Sequence, residues 1–460
     1  MRLWRPLFQE EGCRTWWGGR GDLRNSTSQV DFNLYFVSLR KCLLRVGTLA
    51  LDFTIHHKNV ESRGIRRTDF IANPWLADDS KKKALVQRCV DTLDDQFASL
   101  SISTANHGGK PTYKIRDFEH ELVLRIIGSS ISSLTKVRQS NRVNIIRSLQ
   151  SLLSEGVDYR VYRLDIRSFF ENVNPQIILD RLRSDSGFSR QNLRLLSSFF
   201  AKLRSLGIFG LPRGMAISSI LSEYLLRDFD REISRQFHVF YYARFVDDII
   251  FITSGNEDPK KEIQFVSRTL PSGLKLNGKK CTWMDCSKEE AELESIKEIE
   301  YLGYQFIVPT ASVGKPKSRN VSTDIAFKKR SKIKTRIVKS ALQFLSDGNF
   351  DDFRDRIKLL STNTTVYDRS LGVKRKIGIY YNYRLIDGLD SSALDELDSF
   401  LKRFLLSKTG RLSTELQRRL TKSQKRRLLK FNFRAGFNEK VHTHFPGPRI
   451  AHLMSCWDHG

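Results

Sequence analysis

Three aspartates stand where the surrounding sequence argues against charge. In RVYRLDI, strand alternation puts Tyr162, Leu164 and Ile166 on one face and Asp165 on the other, beside Arg163. A lone acid closing a strand can equally be a turn or helix cap. Asp247 and Asp248 are less ordinary, because they interrupt a β-branched and aromatic run, YYARFVDDIIFIT, and so must lie at a hairpin turn. A solvated turn is the plain alternative there. Gathering like charges costs desolvation and repulsion, and a divalent cation relieves both. Phosphoryl transfer supplies a reason to gather three carboxylates: two Mg²⁺ ions ~3.5–4 Å apart stabilise the attacking and leaving oxygens of an in-line displacement. Mg²⁺ suits a few carboxylates plus substrate phosphates, and Mn²⁺ can take its place. The chain has no GxxxxGK[ST] motif, which disfavours a P-loop NTPase.

The elements that must position these acids divide the chain into four. Residues 1–60 show no sustained period. Residues 61–158 turn helical, with Leu122, Ile126 and Ile127, then Val143, Ile146 and Leu149, at spacings of three and four. Across 159–310 short β-type runs alternate with helical ones, including a helix toward Phe237. Residues 311–460 pass through the polar segment ASVGKPKSRN, a natural linker, into basic helical stretches. The order is α+β, and 460 residues exceed one ordinary core, so several lobes are expected.

Charge narrows the partner. The formal net charge is +27, and residues 311–460 hold 32 Lys and Arg against 14 Asp and Glu, which favours a polyanion such as nucleic acid. Cysteines at 13, 42, 89, 281, 286 and 456 have neither CxxC nor zinc-site spacing, and read as reduced thiols. No apolar run approaches ~18 residues and the N-terminus is not that of a signal peptide, so a cytoplasmic protein without a membrane partner is expected.

The ordered motifs LDIRSFF, GLPRGMAISS, ARFVDDI, LKLNGKKC and YLGYQF resemble the palm of reverse transcriptases, in family order over about 140 residues. The resemblance implies a right-hand polymerase fold: fingers at 61–158, an RNA-recognition-motif-like antiparallel palm at 159–310, and a helical thumb from 311. By position, Asp165, Asp247, Asp248 and the carbonyl of Ile166 would hold the metals. Phe170 falls at the steric gate against a ribose 2′-hydroxyl, with core packing as its alternative. Lys280 resembles the lysine that protonates pyrophosphate, although Lys279 beside it leaves the register open and a plain phosphate contact would serve. Pro212 and Gly214 match the nucleotide loop, but Arg213 stands where many members have glutamine, which would replace the usual nucleotide contact with a phosphate clamp. Arg125 and Arg142 lie in the fingers-like helices as candidates to grip the triphosphate, or as a solvated helix face. Tyr301 and Gly303 would place the primer end, or form an ordinary strand and turn.

No RNase H-like or HNH-like cluster follows the palm, and the retron motifs NAxxH and VTG are missing, leaving a retron-type enzyme as the runner-up. LLSEGVDYRVYRLDIRSFFENV and KRKIGIYYNYRLI look more like the bacterial defence-associated reverse transcriptases. That resemblance implies antiphage activity with an RNA template, a structured non-coding RNA, dNTPs, a DNA product, and a second polymerase subunit or a second copy of the chain. Template-independent or protein-primed extension and a catalytically silent RNA-binding scaffold stay open. The stretch RRLTKSQKRRLLK, with Phe431 and Phe433 nearby, could clamp a duplex or form a solvated basic helix.

Overall fold

The computed structural model describes residues 53–458 apart from 108, 186, 287–295, 310–317 and 369–372. Most of the segment 1–60, Cys13 and Cys42 among it, and most of the expected linker lie outside the described residues. Phe53 and Ile55, at the end of that segment, are buried in the core, and the Asn192 side chain donates to the Phe53 carbonyl at 3.0 Å.

In the fingers, helix α1 (Asp79–Asp95) starts at Asp78, whose carboxylate accepts from the Ser80 and Lys81 amides. Where a continuous helical pattern is expected, residues 102–115 instead form an antiparallel hairpin, β1 (Ile102–His107) and β2 (Lys110–Ile115). Gly109, at φ 75° just before β2, supplies a turn signal that outweighs the helical periods on either side. Helix α2 (Phe118–Thr135) follows and buries Leu122, Val123, Ile126, Ile127 and Ile131. Helix α3 (Arg142–Leu153) buries Ile145, Ile146, Leu149 and Leu153, but against the sheet and thumb core rather than the fingers.

The palm runs β3 (Arg160–Asp165), helices α4 (Pro175–Ser184), α5 (Arg190–Ser205) and α6 (Ala216–Ser234), then β4 (Val239–Phe245), β5 (Asp248–Thr253), helix α7 (Pro259–Thr269) and β6 (Thr282–Asp285). Its strand order is β4-β5-β3-β6, with every pairing antiparallel. This is the β-α-β-β-α-β arrangement expected of an RNA-recognition-motif-like palm. Successive β5 residues enter two different cores: Ile249 and Phe251 pack with the fingers and palm helices, Ile250 and Ile252 with the thumb side. Burial on both faces explains why the run after the acids is continuously apolar. Tyr162 stacks on its register partner Phe251, with ring centroids 4.6 Å apart.

A second sheet, β7 (Ile296–Tyr301), β8 (Tyr304–Pro309) and β9 (Ser322–Ile325), joins the palm to the thumb, and α3 packs on β8. The thumb opens with α8 (Phe327–Asp347), whose buried Ile333, Ile337, Ala341 and Phe344 recur every three or four residues. Helices α9 (Phe350–Ser361) and α10 (Ser392–Leu406) pack with it, and the hairpin β10 (Asn363–Asp368) and β11 (Val373–Gly378) interrupts the expected helical run. Among the described residues, no helix is long and apolar enough to cross a membrane.

Candidate active site

Strand register brings the three acids together. Asp165 pairs with Asp248 across β3 and β5, and Phe245 pairs with Asp248 across β4 and β5, so Val246 and Asp247 form a two-residue turn at the end of the sheet. Val246 has φ 62°, a left-handed conformation costly for a β-branched residue. Three donors from separate elements hold that turn. The Ile166 amide donates to the Asp247 carbonyl at 3.1 Å, the Tyr301 hydroxyl to the Asp248 carbonyl at 2.8 Å, and Arg244 Nη1 to the Val246 carbonyl at 2.9 Å. Arg244 is itself buried between Glu223 and Asp230 of α6, with Nη2 2.7 Å from a carboxylate oxygen of each.

Asp165 is buried, and both its carboxylate oxygens have partners: Oδ1 accepts from Lys280 Nζ at 2.8 Å and Oδ2 from Asn277 Nδ2 at 3.0 Å. The Asn277 amide also donates to the Asp165 carbonyl at 2.7 Å, fixing the loop that carries the lysine. Burial raises the Asp247 pKa, and the neighbouring Asp165 charge adds to the rise. Asp248 is pushed up to about 6 by burial and then by Asp247, with Arg163 opposing. Among the described residues, no group of three or more His, Cys, Asp or Glu is already arranged to hold a metal ion. The donor chemistry nevertheless fits divalent cations: two carboxylates destabilised as anions lie beside a third whose charge is met by the Lys280 ammonium.

These residues open into a cleft of about 890 Å³, which Phe170, Arg213, Tyr301 and Gly303 also line. From the thumb, Lys328, Lys329 and Lys332 at the start of α8 face the same space. Burial lowers the Lys329 pKa, and the charges of Lys332 and Arg142 lower it further.

Residues 115–306 match the family described as reverse transcriptase (RNA-dependent DNA polymerase), and they contain the three acids, the nucleotide loop and Lys280. The match makes this segment similar to reverse transcriptase domains. A domain of this family is an RNA-directed DNA polymerase, a nucleotidyltransferase that works with divalent metal ions. Among solved structures the chain is similar to telomerase from Candida albicans in complex with a TWJ fragment of telomeric RNA, at 12% identity and a TM-score of 0.29. That similarity covers 73% of this chain and 53% of the other, so the chain spans about half the length of the telomerase it matches. No curated protein matches the chain.

Within the matched segment, Lys280 lines the cleft and donates to Asp165. Ile166 is buried beside the turn. Gly214, at φ 92°, lets the nucleotide loop lie against β2, where an added Cβ would be 2.9 Å from the Tyr113 carbonyl. Gly303, at φ 83°, makes room for the Lys329 side chain. Tyr301 is fully buried and acts on the acidic turn through its hydroxyl.

Arg142 and Arg125, candidates for a triphosphate grip or a solvated helix face, both have protein partners. Arg142 Nε and Nη2 donate to the Leu302 carbonyl at 3.0 and 2.7 Å, because α3 belongs to the palm side, and its guanidinium braces the 301–304 turn while lining the cleft. Arg125 is half-buried in an ion pair with Asp69 at 2.6 Å and also meets Glu121. Arg213 is held by Glu171 rather than left open in the cleft, with Nε and Nη2 at 2.8 and 3.0 Å from its carboxylate oxygens. Sequence reasoning missed Asn277, Glu171, Arg244 and the α8 lysines. The LNGK turn was visible for Asn277, whereas the partners of Glu171 and Arg244 are distant in sequence.

Proposed function

We propose that this chain synthesises DNA on an RNA template by two-metal-ion nucleotidyl transfer, with a structured non-coding RNA as its companion in bacterial antiphage defence. The observation that carries the polymerase reading is the in-register Asp165–Asp248 pairing beside the Val246–Asp247 turn, opening into a cleft edged by thumb lysines. In the reaction a primer 3′-hydroxyl oxygen bonds to the α-phosphorus of a deoxynucleoside triphosphate, and the bond to pyrophosphate breaks. Mg²⁺ or Mn²⁺ held by Asp165, Asp247, Asp248 and the Ile166 carbonyl would favour ionisation of that hydroxyl and neutralise charge on the triphosphate. Asn277 keeps the Asp165 carboxylate oriented. The Asp165 contact raises the Lys280 pKa, which keeps the ammonium protonated and able to give a proton to departing pyrophosphate. Phe170 stands in the cleft to exclude a 2′-hydroxyl, and Lys328, Lys329 and Lys332 meet backbone phosphates. Tyr301 and Gly303 set the primer end through the turn that they support.

The defence role and a cytoplasmic site of action rest on the motif resemblance, as does pairing with a second polymerase subunit or a second copy. The test is incorporation of labelled dNTPs by the protein purified with its accompanying RNA, beside an Asp247→Ala, Asp248→Ala variant. Incorporation lost in the variant and after RNase pretreatment supports RNA-directed synthesis. RNase-resistant incorporation moves the reading to template-independent or protein-primed extension. RNA bound tightly with no incorporation would make the chain a silent scaffold.

A further inference from the structure

The loop Leu211–Gly214 is fastened to the segment that carries Phe170. The Leu211 amide donates to the Phe170 carbonyl at 2.8 Å. Gly210, at φ 72°, permits that approach: an added Cβ would lie 2.2 Å from the same oxygen and 2.8 Å from the Glu171 carbonyl. From this loop Arg213 reaches back over Phe170, its guanidinium carbon 4.9 Å from the ring centroid. The Phe169 ring also meets Phe170 edge-on, with centroids 5.3 Å apart. Arg213 is not free to swing, because Glu171 takes Nε and Nη2 in a two-bond fork at 2.8 and 3.0 Å, and the Arg213 carbonyl accepts from the Tyr113 amide at 2.7 Å. The Phe170 ring thus touches an aromatic edge and a cation that is itself anchored to the next residue in the chain. Phe170, Arg213 and the acids line one cleft.

We propose that Arg213, locked by Glu171, is a positioning residue that fixes the Phe170 ring and thereby sets how strictly the site rejects ribonucleotides. This rests on the polymerase reading above and on Phe170 as the group that meets the sugar. The physical argument is that a gate discriminates only as well as its wall resists displacement. A ring that can rotate away admits a 2′-hydroxyl at little cost, whereas one held by anchored neighbours resists. A lysine could keep the charge of Arg213 but neither the fork nor the flat stack.

The test is single-nucleotide incorporation by the RNA-associated protein, comparing kcat/KM for each dNTP with that for the matching rNTP in wild type and in Arg213→Ala, Arg213→Lys, Glu171→Gln and Phe170→Ala. All four substitutions are expected to lower the dNTP preference, the first three by roughly tenfold and Phe170→Ala by more. Glu171→Gln decides between the lock and a phosphate clamp, since freeing Arg213 would strengthen a clamp and lower KM for dNTPs and rNTPs alike. An unchanged preference in Arg213→Ala and Glu171→Gln, with KM raised for both nucleotide classes in the former, would overturn the lock and leave the polymerase reading standing. A preference unchanged in Phe170→Ala would overturn it too, by placing the gate elsewhere. Absence of any incorporation by wild type would remove both this inference and the polymerase reading.

Discussion

Replacing Arg244 should separate the stability of the palm from the geometry of its acids. The Arg244 side chain is 2% exposed, and its partners Glu223 and Asp230 are 10% and 27% exposed, so solvent screens little of the interaction. Removing one partner of a buried pair costs ~3–5 kcal/mol. Burial already raises the Glu223 pKa despite the Arg244 charge, so the orphaned carboxylate takes up a proton and the cost falls near the lower end. For a folded unit of about 400 residues, ~3 kcal/mol lowers the Tm by roughly 3–4 °C. Activity should suffer through a different bond. Arg244→Met removes the donor to the Val246 carbonyl, and a charge-assisted hydrogen bond of ~1.5–3 kcal/mol is then missing from a turn held in the left-handed region. If that turn relaxes, kcat falls roughly ten- to hundredfold at temperatures where the variant is folded.

The decisive assay pairs thermal melting with single-turnover incorporation in Arg244→Met and in the double variant Arg244→Met, Glu223→Leu. Removing the Arg244 and Glu223 charges together should restore part of the Tm, because replacing buried charges with apolar groups is often neutral or better and Asp230 keeps the Tyr242 hydroxyl at 2.6 Å. It should not restore kcat, because the Val246 carbonyl still lacks its donor. Recovery of kcat together with Tm in the double variant would refute the bracing role. Wild-type kcat in the folded single variant would do the same.

Asn277→Ala should lower kcat roughly two- to tenfold with KM for dNTPs unchanged, since one neutral hydrogen bond to Asp165 is lost; Asn277→Asp should be worse because it adds a carboxylate beside three others. Quantitative incorporation kinetics check both. Changing Lys328, Lys329 and Lys332 to Gln should weaken binding of primer–template duplex and reduce the salt slope of log K by about 2–3, measured by titration at several salt concentrations. The Asp352 pKa is raised by burial but lowered more by hydrogen bonds from His452 and Arg449, so its folded value lies below the ordinary carboxylate range. Its stabilising contribution is therefore present above the unfolded value of ~3.9 and is lost as pH falls through the folded one. Asp352→Asn should lower the Tm at pH 7 yet flatten the decline below about pH 4, and a decline as steep as wild type's would rule this out.

Residues that break a local rule were legible in the sequence; residues that obey one and act through distant partners were not. Asp247 and Asp248 stood out because charge does not belong inside an apolar strand run, and strand alternation set Asp165 apart from its apolar neighbours. Their pairing was not legible, because register between β3 and β5 is a long-range property that neither segment encodes alone. Arg142 shows the same limit: the helical period of α3 is identical whether the helix serves fingers or palm, and only tertiary packing assigns its guanidinium to Leu302. The fingers hairpin was recoverable in principle from the glycines in its sequence, but the helical periods around it dominated. Arg244 was in plain view inside ARFVDDI, yet Glu223 and Asp230 lie on a helix where acids ordinarily face water. The strain at Val246 makes the consequence physical. A β-branched residue stays at φ 62° only if surrounding contacts outweigh its preference, and here the donors come from β4, the end of β3 and β7. The acids can be found by asking which charges are misplaced, whereas the groups that hold them are found by asking which carbonyls of the strained turn are bonded, and by what.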